Sequence, residues 1–299
     1  MEKAAKGASG TGAPAARKLS LFGLPGQKFA RGAFWSHWPA RILVGSLATL
    51  FFLFLGVPLA SLLFREPPGV IWAELQQPDI FQALQLSLLT TTLSTLMAFV
   101  FGLPVAYVLA RKSFPGRKVL EIIVTLPTVL PPVVAGVALL LTFGRMGLIG
   151  QYLALLGLNI PFTTVAVVMA QTFIAAPFFV NSARAGFEQL DRRYELAAYT
   201  LRASPFYTFR RVILPLIRPA LLAGTGLAWA RSLGEFGATI TFAGNFPGTT
   251  QTMPIAVYMA SQDDLDKAIA LAVVLLAVSF GMLLALKYDF SREKPRPTL

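Results

Sequence analysis

Most apolar positions in this chain come in long, nearly uncharged blocks. Six blocks each reach or exceed the roughly 20 residues a helix needs to cross about 30 Å of hydrocarbon. They run over Arg41–Phe64, Phe81–Ala110, Val119–Phe143, Phe162–Ala183, Ile213–Phe242 and Ala268–Lys287. The predicted fold is all-α and integral to a membrane, with six transmembrane helices. Periodicity within the blocks adds little, because a lipid-facing helix is apolar nearly all round.

Composition strengthens this reading. Of the 299 residues, 55% are hydrophobic and 13% charged, with mean hydropathy +0.64. Soluble domains carry about 25% charged residues. Cysteine is absent and His37 is the only histidine, which excludes disulfides, thiol nucleophiles and multi-histidine metal sites.

The net charge of +12 is mainly topological. Of 26 Lys and Arg residues, seven lie in 1–41, four in 111–118, seven in 184–218 and four from Lys287 onward. The opposite loops hold only Arg65, Arg145 and Lys267, together with Glu66, Glu74, Asp79, Asp263, Asp264 and Asp266. An even number of spans with both termini and all basic loops in the cytoplasm satisfies the positive-inside rule. The charge therefore argues no nucleic-acid partner. Residues 1–33 read as a disordered basic cytoplasmic extension, 34–288 as the transmembrane domain and 289–299 as a cytoplasmic tail. Phe34, Trp35 and Trp38 look like an interfacial anchor.

Polar and helix-breaking residues interrupt two spans. In the third, Pro127, Pro131 and Pro132 each remove an amide donor and kink or break the helix. Such breaks persist at membrane depth where protein or a water-filled cavity supports the backbone. They mark either a pathway-lining helix or a packing kink. In the fifth, Arg231 and Glu235 stand four apart, a spacing that shares a helix face and permits an ion pair, with Thr239 one turn on. Intramembrane ionisable groups face a bundle interior or a pore. Gly226, Ala230, Gly234 and Ala238 form an adjacent small-residue stripe suited to close helix packing. The pair is either a neutralising contact or part of a gate.

The basic segment 184–218 is more than a connector. Leu190, Tyr194, Ala197, Ala198 and Leu201 fall on one helical face, with Asp191, Arg192, Glu195 and Arg202 mostly on the other. Ser204-Pro205 reads as an N-cap followed by proline at the first helical position. The spacing predicts two short helices broken near Ala203. They either lie on lipid headgroups or dock a cytosolic partner. No GxxxxGK[ST] loop occurs, so this chain does not bind ATP through a P-loop.

These residues resemble a family: the permease subunits of ATP-binding cassette importers. Its cytoplasmic signature is EAA, three residues, Gly, nine residues, then Ile-x-Leu-Pro. Leu196-Ala197-Ala198, Arg202 and Val212-Ile213-Leu214-Pro215 match that spacing. Leu196 stands at the glutamate position, beside Glu195, and Arg202 stands at the glycine position. Within the family, Leu126–Gly136 and Arg231–Thr252 are most similar to molybdate permeases. Sulfate permeases carry related sequence in the same region.

The resemblance implies a multi-pass cell-membrane subunit that imports a tetrahedral oxyanion. Molybdate comes first, with tungstate and sulfate or thiosulfate as alternatives. It also implies a permease homodimer, two cytosolic ATPase subunits holding the ATP and Mg that this chain does not bind, and an extracytoplasmic oxyanion-binding protein. The ATPase would meet the loop containing Glu195–Ala198, Arg202, Ser204, Pro205, Leu214 and Pro215. Outer residues Asn245, Thr249, Thr250 and Gln251 are candidates for the binding-protein contact. An ATP-independent secondary transporter or channel is the rival reading; it predicts transport by this chain alone. An integral membrane enzyme is another, and it would need clustered catalytic side chains.

Overall fold

The computed structural model describes residues 38–292. Among the described residues there is helix and no strand. The chain divides at Pro58 into two units. The first unit contains the start of α1 (Trp38–Arg65), whose Phe51, Phe52 and Phe54 are exposed. Residues 1–33, Phe34 and Trp35 lie outside the described residues, as do tail residues 293–299.

The second unit follows with α2 (Pro68–Leu75), α3 (Pro78–Arg111), α4 (Arg117–Thr125), α5 (Pro132–Phe143), α6 (Gly150–Leu155) and α7 (Thr164–Gln189). Then come α8 (Arg193–Thr200), α9 (Pro205–Thr208), α10 (Leu214–Leu233), α11 (Gly237–Ala243), α12 (Met253–Asp263) and α13 (Leu265–Arg292). Among the described residues five helices are long and apolar enough to span, six if the bent pair Arg117–Thr128 and Pro132–Phe143 counts as one. Proline opens α2, α3, α5 and α9, where its missing N–H costs nothing and its φ is already helical. Thr163 caps α7 by accepting from Ala166 N–H at 3.3 Å.

The core is α3, α7 and α10. Ala98, Ala106 and Leu109 of α3 bury against Phe179, Ala183 and Phe187 of α7 and Ile217, Leu221 and Ala228 of α10. At the opposite end, Ile80 and Ala83 pack with Met253, Ala256, Leu271 and Val274, joining α12 and α13 to the start of α3. Several polar side chains within this apolar bundle are satisfied internally, while the hydroxyls of Thr91 and Thr239 and the side-chain oxygen of Gln171 have no hydrogen-bond partner among the described residues. Thr90 Oγ1 donates to Leu86 O at 2.8 Å and Thr95 Oγ1 to Thr91 O at 2.7 Å. The Ser94 and Ser232 hydroxyls bond each other across α3 and α10. Ser87 Oγ accepts from Met253 N–H at 2.7 Å. In hydrocarbon such groups have no water to fall back on, and these four contacts use a carbonyl or a neighbouring helix instead.

Three expectations change. The fifth block is not one helix over Ile213–Phe242. It enters from Pro205 through a π-helical turn at Phe209–Ile213, stops at Leu233, and resumes as α11 only at Gly237. The stripe Gly226, Ala230, Gly234 and Ala238 is therefore not continuous on one helix: Gly226 is buried, Ala230 and Gly234 are exposed within this chain, and Ala238 belongs to the next helix. The buried small residues of α10 are Gly224, Gly226, Ala228 and Ser232, of which Gly224, Ala228 and Ser232 stand four apart. A Cβ on Gly224 would fall 2.8 Å from Ser182 Cβ, so this row sets the α7–α10 approach. Finally, Leu190 closes α7 in extended backbone and is not on the α8 face.

Candidate functional site

Two breaks meet in the bundle. The third span bends by 116° between Thr128 and Pro132. Leu126–Thr128 forms one 3-10 turn, with Pro127 buried in it; Pro131 is extended and Pro132 begins α5. The prolines thus break the span rather than kink it. The fifth span breaks at Gly234-Glu235-Phe236. The half-helices that follow, α5 and α11, then pack directly on each other. A Cβ on Gly136 would lie 2.6 Å from Thr241 Cβ and 2.8 Å from Ala238 O; one on Gly237 would lie 2.8 Å from Pro132 Cβ. Only glycine permits this approach, because the obstacle is largely backbone or the Cβ of the facing residue.

Glu235 spans the second break. Its side chain is 1% exposed. Oε1 accepts from Ala238 N–H at 2.8 Å, satisfying a donor that opens α11. Oε2 faces an Arg231 guanidinium nitrogen at 3.1 Å, and Arg231 remains 32% exposed. The expected pair exists, but not on one helix face: Arg231 ends α10, while Glu235 lies beyond it and caps the next helix. Thr239 is buried in α11, and its hydroxyl makes no hydrogen bond among the described residues. Such a carboxylate is a positioning group. It ties two helix ends together and holds one cation at the edge of the break.

At the basic end of the bundle, α8 and α9 form the two expected helices. Ser204 Oγ accepts from Tyr207 N–H at 3.2 Å, with Pro205 opening α9. Ala198 is buried at the floor of a groove of about 650 Å³, lined also by Tyr194, Ala197, Leu201, Ser204 and Tyr207. Leu196 and Leu201 are exposed, at 60% and 83%. Glu195 turns the other way, against the expectation that it lies on the polar face. It pairs with Arg111 at 2.8 Å, the two side chains being 14% and 8% exposed. Arg111 also donates to Leu190 O at 3.1 Å. Glu195 is thus consumed in anchoring α8 to the end of α3. Leu214 and Pro215 begin α10, continuous with the π turn.

A neighbouring ion network fixes the same end. Arg184 of α7 pairs with Glu121 of α4 at 2.6 Å and with Glu188 at 2.8 Å, and Arg117 reaches Glu188 at 3.7 Å. These contacts link the base of the broken third span to α7. Arg111, Arg184, Gly136 and Gly237 were not legible as site residues. Arginine at a span end reads as an ordinary topological charge, and glycine within a span reads as neutral.

The 245–252 loop at the acidic end is folded inward in part. Thr250 is buried, and its Oγ1 accepts from Phe246 N–H at 3.0 Å. Thr249 is exposed, while its carbonyl accepts from Thr164 Oγ1 at 2.9 Å. Asn245 and Gln251 are partly exposed. Thr250 therefore shapes the loop, Thr249 and Gln251 form its accessible part, and Asn245 is half-buried with its side-chain oxygen enclosed. Among the described residues no group of three His, Cys, Asp or Glu side chains suits a metal ion.

Residues 98–296 match the family "Binding-protein-dependent transport system inner membrane component". The molybdenum transport system permease protein ModB of Mycobacterium tuberculosis is 44% identical over 226 residues, covering 76% of this chain and 86% of that one. The sulfate transport system permease protein CysT of Salmonella typhimurium is 37% identical over 222 residues, covering 74% and 80%. Among solved structures, a bacterial ABC transporter importing the acidic polysaccharide alginate superposes with TM-score 0.70 at 17% identity, covering 87% of this chain and 98% of that one; it shows a shared fold. The family match over two thirds of the chain and the identity to curated permeases agree with the apolar spans, and the chain belongs to the family of inner membrane components of binding-protein-dependent transport systems, as a multi-pass permease subunit.

Proposed function

We propose that this chain is the membrane-spanning subunit of an ATP-driven importer for a tetrahedral oxyanion, molybdate first. The observation that carries the reading is the 44% identity to a molybdenum permease across most of both chains. The similarity to a sulfate permease makes sulfate the second reading. A dianion does not cross hydrocarbon unaided, because desolvating its charge costs many kcal/mol. The route lies where the two broken spans meet: Pro127, Pro131 and Pro132 on one, Arg231, Glu235 and Thr239 on the other. Arg231 offsets the anion's charge. Glu235, committed to Arg231 and Ala238, orients that cation and does not itself meet substrate.

Two copies of the chain enclose the route. The basic end faces the cytoplasm with both termini, as the positive-inside rule requires. There the α8–α9 groove receives an ATPase subunit, which holds the ATP and Mg. On the other side, Asn245, Thr249 and Gln251 meet an oxyanion-binding protein. ATPase closure moves α8, and the Glu195–Arg111 pair passes that movement to α3. Transport is a shift in population between inward-open and outward-open states.

Uptake into vesicles holding the complete complex tests the substrate. Labelled molybdate enters only with ATP, and excess molybdate or tungstate suppresses it while excess sulfate does so weakly. Equal suppression by sulfate moves the assignment to the sulfate reading, and uptake without ATP removes the ATP-driven one. The docking site makes its own prediction. Ala198→Arg places a long cation on the groove floor and abolishes co-purification with the ATPase, while the membrane protein remains monodisperse. Retained co-purification would count against the groove as the docking surface.

A further inference from the structure

The bend between α8 and α9 carries a residue that its backbone does not favour. Arg202 has φ 57°, in the left-handed region where a Cβ crowds the following carbonyl and where glycine usually closes a helix. The bend is a Schellman turn: Ala203 N–H donates to Ala198 O at 3.1 Å and Arg202 N–H to Tyr199 O at 2.9 Å. Glycine would make the same two bonds without the steric penalty. Strain of this kind concentrates where function requires a particular side chain.

What surrounds Arg202 indicates what that function is. Its side chain is exposed, and among the described residues it forms no ion pair; nor do Arg192, Arg210 and Arg211. The nearest carboxylates on the loop are already engaged, Glu195 with Arg111 at 2.8 Å and Asp191 with Arg193 at 3.7 Å. Arg202 lies between Leu201 and Ala203, both of which line the apolar groove. The loop therefore offers an apolar floor with an uncompensated cation at its rim. The complementary surface is apolar at its centre with a carboxylate at its edge.

We propose that Arg202 is a partner-selecting residue, forming an ion pair with a carboxylate at the edge of the ATPase subunit's docking surface when the α8–α9 bend seats there. The inference rests on the reading that this bend meets an ATPase. Apolar burial supplies most of the affinity, and the rim charge decides which partner is accepted and how fast it arrives.

The test compares the wild-type chain with Arg202→Gly, Arg202→Lys and Arg202→Glu, each bound to the ATPase subunit isolated from the native complex. Arg202→Gly melts at or above the wild-type temperature, because the turn is relieved, yet binds the ATPase roughly ten-fold more weakly through loss of the rim charge. Arg202→Lys retains most of the binding, and Arg202→Glu falls below Arg202→Gly. Raising the salt concentration weakens the wild-type complex more than the Arg202→Gly complex. Arg202→Gly binding as tightly as wild type, with the same salt slope, overturns the proposal. So does a difference seen only in anionic-lipid vesicles and absent in neutral detergent, which would assign the guanidinium to headgroups. A wild-type chain that binds no ATPase in either medium overturns the transport reading itself, which separates the two failures.

Discussion

Gly136→Ala lowers both the melting temperature and the uptake activity of the purified complex, although it adds a single methyl group. The added Cβ lands 2.6 Å from Thr241 Cβ and 2.8 Å from Ala238 O. Neither obstacle is the far end of a flexible side chain, so α5 and α11 must separate for the methyl to fit. Overpacking of this sort costs roughly 1–3 kcal/mol. The loss is concentrated where two broken spans meet, so transport falls more steeply than stability. Gly281→Ala supplies the control, since nothing lies within 4 Å of a Cβ there; it leaves both quantities unchanged. A Gly136→Ala complex with wild-type melting and uptake would refute the close packing of the half-helices. Gly136→Leu goes further and yields no folded complex.

Glu235→Ala reduces uptake by at least about a hundred-fold. The substitution removes the acceptor for Ala238 N–H at 2.8 Å and the counter-charge to Arg231 at 3.1 Å together. Breaking a buried ion pair from one side costs roughly 3–5 kcal/mol, because it strands the other charge. Arg231 is about one-third exposed, so the lower end of that range applies. Glu235→Gln separates the two contributions: its amide oxygen still accepts from Ala238, but Arg231 loses its counter-ion. Uptake between those of wild type and Glu235→Ala shows that both contacts matter. Wild-type uptake in both variants would refute the positioning role. Arg231→Ala leaves a capped α11 and lowers uptake more than it lowers the amount of folded protein in the membrane. Equal losses in both would make Arg231 a purely structural partner.

The two changes act on the same feature through different physics. Gly136 allows the half-helices to touch, and Glu235 ties the two helix ends at the second break together. At the basic end, the ion pairs Arg111–Glu195 and Arg184–Glu121 tie α3 to α8 and α7 to α4.

Much of this was legible in the residues. The apolar blocks located the spans, because hydrocarbon tolerates no unsatisfied backbone and requires a helix long enough to cross. The break at Pro127–Pro132 followed from missing amide donors, and the α8–α9 pair from the Ser204-Pro205 cap. The spacing from Leu196 to Pro215 carried the family resemblance that the relatives bear out. The break at Gly234–Phe236 was less visible. It contains no proline, and glycine within an apolar block is common in membrane helices. Glu235 stands three residues before Ala238, which is a capping distance, but it also stands four after Arg231, which is a pairing distance. Local spacing did not choose between them, and the structure uses both.

The sequence by itself determined which segments enter the bilayer, where proline interrupts them and which loops carry positive charge. Those properties depend on the transfer of each residue from water and on the hydrogen bonds that its own backbone can make. Only the tertiary structure decided that two interrupted spans share one contact, that Glu195 faces inward to Arg111, that Thr250 is buried, and that Arg202 occupies a left-handed turn with its charge unanswered. Those outcomes depend on which groups far apart in the chain come within a few ångströms, and in a bundle whose helices are apolar on nearly every face no local pattern specifies which faces meet.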